Sequence, residues 1–279
     1  MKVTEKIFET ASGVIHYWVN DIVLARKTLV FLPGLTADHH LFDRQIESFE
    51  KEYNLLTWDA PGHAASRPFR LDFSLMDKAI WLHEILKNEK LSHPILIGQS
   101  MGGYVSQCFM QKYPGEASGF ISIDSAPLKR CYVTGAEIWL LKRTAPMFRA
   151  FPWNTLKQLG AKGCAETDYG RRLMEHFIDS YTKDEYCRLA GHGYRILAEA
   201  MEADLPYVID CPAILICGEK DQAGSARSYN RRWAKRESLP IFWIENAGHN
   251  SNTDKPEEVN QIIRDFARSI QQTYFVLER

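Results

Sequence analysis

No stretch of this 279-residue chain approaches the about 18 apolar residues of a membrane span, so no transmembrane helix is expected. Neither sign of charge is in excess: 34 Lys plus Arg stand against 35 Asp plus Glu, a formal net charge of −1. Nucleic-acid binding draws on a strong basic excess, so that balance speaks against it. Residues 1–10 carry charges every few positions and no apolar run. A secretory signal is therefore not expected, and the cytoplasm is the expected compartment. The six cysteines, at 108, 131, 164, 187, 211 and 217, form no CxxC pair and flank no His-rich tract. Such spacing suits neither zinc nor a disulfide framework, and reduced, mostly buried thiols are expected. Internal repeats and low-complexity segments are also lacking.

What is present is an ordinary globular composition, 45% hydrophobic and 25% charged, long enough to bury a large core. Short β-rich runs alternate with helical ones, the pattern of a sheet covered by helices. Gly13–Val19 alternates and reads as an antiparallel edge strand. Thr28–Leu32 and Asn54–Trp58 read as buried strands, each ending in a Pro-Gly-containing turn, with a short helix over 41–50 between them. Ser74 and Asp77 form a capping box ahead of Leu75, Ala79, Leu82 and Leu86 at helical spacing. Strands over 94–97 and Gly119–Ile123 flank a helix over 102–113. From 126 to 205 only helical pieces rich in aromatics appear. The strand–helix rhythm then resumes at 213–217, 225–237 and Ile241–Ile244, and Pro256 opens a last amphipathic helix. A split α/β core, 1–125 and 206–279, thus surrounds a helical insertion over 126–205, too long for a loop.

Gly98-Gln-Ser-Met-Gly102 matches G-x-S-x-G between a predicted strand and a predicted helix. Ser100 there would occupy a tight turn that pushes its hydroxyl out at the carboxyl end of the sheet. A serine hydroxyl needs a base to become nucleophilic, and the base needs an orienting acid. Of the nine histidines, His249 alone lies downstream of Ser100 in a loop after a predicted strand. For the acid, Asp221 follows the strand 213–217; Asp124 and Glu219 are its rivals. Backbone N–H groups of Leu35, after the first buried strand (with its neighbours Gly34 and Thr36 as alternatives), and of Met101 are placed to hold an oxyanion, leaving the side chains at 35 and 101 free to line a pocket.

The elbow Gly-Gln-Ser-Met-Gly-Gly, the turn Asp59-Ala-Pro-Gly-His and the tail Gly-His-Asn together resemble the α/β-hydrolase superfamily, in particular its small, cap-bearing, esterase-like members. That resemblance covers nearly the whole chain and is weakest over the insertion. It implies a mostly parallel sheet with helices on both faces and residues 126–205 as a helical cap. It also implies Ser100, Asp221 and His249 as a triad, with Leu35 and Met101 as oxyanion donors. The sequence departs from related groups in using Ser100 where epoxide hydrolases and dehalogenases use Asp, Met101 where proline iminopeptidases show Trp, and Tyr104 where menaquinone-pathway lyases show Arg. Pro33-Gly34 stands where His-Gly is frequent.

The function expected is hydrolysis of a small to medium, partly hydrophobic carboxylic ester through an acyl-serine, with no metal, nucleotide or flavin. A C–C bond hydrolase or a thioesterase would use the same groups, and a weakly catalytic ligand receptor is the alternative of a different class. A small-molecule substrate is the expected partner, and a homo-oligomer is compatible with the sequence. Asp59 to Gly62 reads as a structural turn, and His39-His40 as solvated. Arg227, Arg231, Arg232, Lys235 and Arg236 read as a solvated helix face.

Overall fold

A computed structural model describes residues 3–270; the outermost residues of the two expected core segments, 1–2 and 271–279, lie outside them. Eight strands form one sheet in the order β1-β2-β4-β3-β5-β6-β7-β8. They are β1 (Thr4–Thr10), β2 (Gly13–Val19), β3 (Thr28–Leu32), β4 (Asn54–Trp58), β5 (Ile95–Gln99), β6 (Gly119–Ile123), β7 (Ala213–Gly218) and β8 (Ile241–Ile244). Strands β3 to β8 are mutually parallel, while β1 and β2 add an antiparallel hairpin to one side. This is the α/β-hydrolase fold expected from the sequence.

The hairpin corrects one expectation. Gly13–Val19 is not the edge, because β1 pairs with it along its whole length and β2 pairs in turn with β4. The sequence Thr-Glu-Lys-Ile-Phe-Glu-Thr is mostly exposed in β1, so it carries no buried apolar face to announce a strand. Charges on an exposed edge also discourage pairing with another sheet.

Side-chain alternation sorts each central strand between two cores. Val30 and Leu32 of β3 and Leu96 of β5 face one side, against Ala79, Leu82 and Ile85 of α2 (Leu75–Asn88) and Val105 and Phe109 of α3 (Met101–Lys112). Leu29, Phe31, Ile95 and Ile97 face the other, where Phe49 and Val259 also pack. At about 25 cal/mol per Å² of apolar surface, these two layers supply the main drive for folding. The expected capping box is formed: Ser74 Oγ accepts the Asp77 N–H at 3.1 Å, and Asp77 accepts the Ser74 N–H at 2.7 Å. The helix expected over 41–50 begins as a 3₁₀ turn, capped by Asp38 accepting the His40 N–H, and is α-helical over Asp43–Phe49 (α1).

Residues 126–205 hold five α-helices and no strand: Gly135–Leu141, Thr144–Ala150, Trp153–Cys164, Asp168–Asp179 and Lys183–Ala203, numbered α4 to α8. The 21-residue α8 opens with a capping box at Thr182 and Glu185. Its buried residues reach in two directions, Ile196, Leu197 and Met201 to the sheet core and Tyr186, Leu189 and Ala190 to a small core within the helices. Ala226–Glu237 (α9), Ser251–Asp254 (α10) and Pro256–Ser269 (α11) complete the chain's described helices. All six cysteines are free; Cys108, Cys187 and Cys217 are buried, Cys164 and Cys211 half-buried, and Cys131 exposed.

Candidate active site

Ser100 stands between β5 and α3 with φ 49° and ψ −114°, a left-handed conformation strained for any residue with a Cβ. The turn is tied down on both sides. Ser100 donates its N–H to the Ile123 carbonyl at 2.9 Å, and its own carbonyl accepts the Ser125 hydroxyl at 2.7 Å. Glycine is required beside it, since a Cβ on Gly102 would lie 1.9 Å from the Leu32 carbonyl oxygen and one on Gly98 would lie 2.4 Å from that of Gly102.

His249 reaches the turn from the loop after β8. Its Nε2 lies 2.8 Å from Ser100 Oγ, and its Nδ1 lies 3.0 Å from Asp221 Oδ2. The other Asp221 oxygen accepts the Ala223 N–H at 2.8 Å, and the carboxylate is fully buried. Burial alone would push the His249 imidazole down, but the Asp221 carboxylate, through its charge and hydrogen bond, and the Asp124 charge more than offset it. The result lies above the ordinary histidine value.

The two rival acids occupy different places. Glu219 is exposed. Asp124, at the end of β6, is buried and within 4.8 Å of a carboxylate oxygen of Asp221. It accepts the Gly218 N–H at 2.7 Å and, on its other oxygen, the Ser251 N–H at 2.8 Å and hydroxyl at 2.6 Å. Asp124 thus bridges the strand end that carries Asp221 and the loop that carries His249. Burial, then the Asp221 charge, raise its pKa well above the usual carboxylate range.

Two further residues in the framework had no sequence signal of their own. Gln99, the variable residue of the elbow, donates its amide to the His249 carbonyl at 2.7 Å and to Asn250 Oδ1 at 3.0 Å. Gly34 leaves room for that side chain, since a Cβ there would lie 2.3 Å from Gln99 Oε1. Asp254 is buried and accepts four donors: the N–H groups of Gly248 at 2.8 Å, Glu166 at 3.0 Å and Thr167 at 2.9 Å, and the Thr167 hydroxyl at 2.7 Å. Asn250 N–H adds a bond to the Cys164 carbonyl at 2.7 Å.

Ser100 and His249 open into a cavity of about 220 Å³, walled by the Gly34-Leu-Thr-Ala37 loop and by α5 to α8. Leu35 lines it, whereas the Met101 side chain packs in the sheet core, against the expectation that both side chains would be free to line a pocket. Of the aromatics in the insertion, Phe148, Tyr186 and Tyr194 reach the cavity, while Trp139 and Phe151 are exposed. Thr36 holds a left-handed φ of 67° in the wall beside Ser100.

A family model described as "Alpha/beta hydrolase family" matches residues 29–262. The chain belongs to the alpha/beta hydrolase family. This hydrolase is 26% identical over 249 residues to (E)-2-((N-methylformamido)methylene)succinate hydrolase of Acinetobacter baylyi, covering 85% of this chain and 89% of that protein. It is 25% identical over 250 residues to 3-oxoadipate enol-lactonase 1 of the same organism, covering 87% and 89%. Among solved structures, the enol-lactonase from Burkholderia xenovorans superposes with a TM-score of 0.73 at 19% identity, over 94% of this chain and 100% of that one. No helix of the described residues is long and apolar enough to cross a membrane.

Elsewhere in the hydrolase, the Asp59 turn is structural as expected, whereas His39 is more engaged than its pattern suggests. Asp59 accepts the His39 N–H at 2.9 Å and the Ala65 N–H at 2.9 Å, and lies 2.8 Å from His39 Nδ1. The His39 ring stacks on Trp18 with centroids 3.5 Å apart, so His39 is not solvated. Asp38, His39 and His40 bring three potential ligand atoms within 4.8 Å, and each side chain has one atom engaged: His39 Nδ1 with Asp59, His40 Nδ1 with Asp43 and Asp38 Oδ1 with the His40 N–H. Arg227, Arg231, Arg232, Lys235 and Arg236 of α9 are exposed, as expected of a solvated face, with Arg231 lying over Trp243 and Arg232 and Arg236 over Tyr132.

Proposed function

We propose that this hydrolase cleaves a carboxylic ester through an acyl-serine, with Ser100 as nucleophile, His249 as base and Asp221 as the acid that orients it. The observation that carries this is the continuous line Asp221 Oδ2, His249 Nδ1, His249 Nε2, Ser100 Oγ, with contacts of 3.0 and 2.8 Å. In such a line the imidazole takes the serine proton during attack and returns it to the departing alkoxide, while the buried carboxylate fixes its tautomer. Water activated by the same imidazole then releases the acyl group. The N–H of Met101, the first residue of α3, is free of any intrahelical acceptor and supports its role as an oxyanion donor. The Leu35 N–H, in the loop opposite, supplies the second. Residues 126–205 serve as the cap that closes the cavity over Ser100. A relative named as an enol-lactonase acts on a cyclic ester, which favours ester cleavage over C–C or thioester cleavage.

The test is a screen of short and medium acyl esters beside a Ser100→Ala control. Ester turnover that falls by on the order of 10⁴-fold or more in the variant is expected, because a serine triad works as a unit. A fully active Ser100→Ala variant, or a wild type that binds esters without turning them over, refutes the proposal.

A further inference from the structure

We infer that the substrate occupies the Ser100 cavity as a compact, uncharged ester, with no carboxylate or phosphate on the enclosed part; this rests on the serine-esterase assignment and narrows it. The wall is built from Leu35, Phe148, Leu159, Met174, Tyr186 and Tyr194, with small and amide-bearing residues between them. Among the described residues lining it there is no lysine, arginine, aspartate or glutamate. His249 is the one base in the wall and must be neutral to take the Ser100 proton, so a carboxylate brought in there loses its water and gains no cation in the reactive state; an unpaired charge in an apolar site is strongly disfavoured.

The charges behind the wall have the wrong sign for an anion as well. Asp221 and Asp254 are both buried around the loop that presents His249. Cys164, in the wall itself, has its thiol pushed up to about 12 by burial and by the charges of Asp221 and Asp254. The cavity therefore repels a second negative charge before the oxyanion forms. Its volume of about 220 Å³ also falls below the roughly 300–1,000 Å³ of pockets that enclose drug-sized ligands. Polar recognition is left to neutral groups, with Thr36 beside Tyr186 and with Gln222 and Asn250 near His249.

The experiment compares dimethyl succinate with monomethyl succinate at pH 7.5, two esters alike in size and differing in one carboxylate. The neutral diester is expected to show a kcat/KM on the order of 100-fold higher. Leu159→Arg, which places a cation at the half-exposed rim, is expected to narrow that ratio by about tenfold. In parallel, the rate of covalent labelling of Ser100 is measured with an alkyl and a carboxyalkyl p-nitrophenyl phosphonate. Faster labelling by the neutral reagent supports the inference even if neither succinate ester is turned over. Monoester turnover or carboxyalkyl labelling within tenfold of the neutral partner overturns it and leaves the serine-esterase assignment standing. No turnover together with no labelling by either phosphonate overturns both.

Discussion

Lys78 offers a measurement whose size follows from its surroundings. It lies in the apolar stripe of α2, three residues after Leu75, and is 2% exposed. Its ammonium sits 5.5 Å from the centre of the Phe73 ring. Burial pushes its pKa down from 10.5 to about 8. The two imidazoles that feel its charge, His63 and His192, are themselves pushed down to about 3 and about 4, first by burial and then by Lys78. A depressed lysine pKa means that the unfolded chain binds the proton more tightly than the folded one. The penalty is therefore complete below about pH 8 and disappears as pH rises toward 10.5. At 1.36 kcal/mol per unit, the shift of the Lys78 ammonium corresponds to about 3 kcal/mol. Lys78→Met keeps the volume and removes the charge, so the variant should be about 3 kcal/mol more stable at pH 7. Other groups titrate in the same range: buried thiols such as Cys108, pushed up to about 12, lose stability as pH rises. Urea unfolding of both proteins from pH 7 to 10.5 removes those shared contributions by difference. A variant no more stable than wild type at pH 7, or a gap independent of pH, would refute the linkage.

Asp221→Asn should lower kcat by on the order of 10⁴-fold, because the amide favours the wrong imidazole tautomer. Asp124→Asn should cost far less in kcat but move the acid limb of kcat/KM to lower pH, since the Asp124 charge helps hold His249 up; reversed effects on kcat would transfer the orienting role to β6. In the wild type, kcat/KM should rise with pH as the imidazole loses its proton, with a midpoint above 6.5 because the Asp221 and Asp124 charges outweigh burial. A flat steady-state profile from about pH 5 to 9 would mean that no ordinary imidazole is the base. Gly102→Ala should destabilise by several kcal/mol or prevent folding, because the new methyl would meet the Leu32 carbonyl oxygen at 1.9 Å; an unchanged melting temperature would show that the elbow can relax.

Legibility in the sequence followed burial and local geometry. Strands β3, β5 and β6 are readable because they are largely apolar runs, as expected of strands buried on both faces. Strand β1 was not, since its side chains face water and its pairing with β2 is a long-range event with no local signature. Ser100 was readable because its glycine neighbours record a steric requirement. The expectation that the Met101 side chain is free to line a pocket fails because that side chain packs in the sheet core. Asp124 looked like a rival of Asp221 from its position at a strand end. Adjacency of the β6 and β7 carboxyl ends puts both acids at one spot, where only Asp221 hydrogen-bonds to His249. Gln99, Gly34 and Asp254 act across distant segments and leave no spacing to read.

The Asp254 contacts also constrain how this molecule can breathe. One carboxylate holds the joint between α6 and α7 and the backbone of the histidine loop in a single framework. Swinging the helical layer about that joint would strip three of the four donors from a buried charge. Any gate for substrate would have to hinge elsewhere, and α4, with Trp139 and Leu140 exposed, gives the cavity no lining residue. A transplant of the insertion into a related scaffold would have to carry Thr167 with it and find an aspartate waiting at the position of Asp254. Without that clasp, the graft would arrive with its pivot loose against the base.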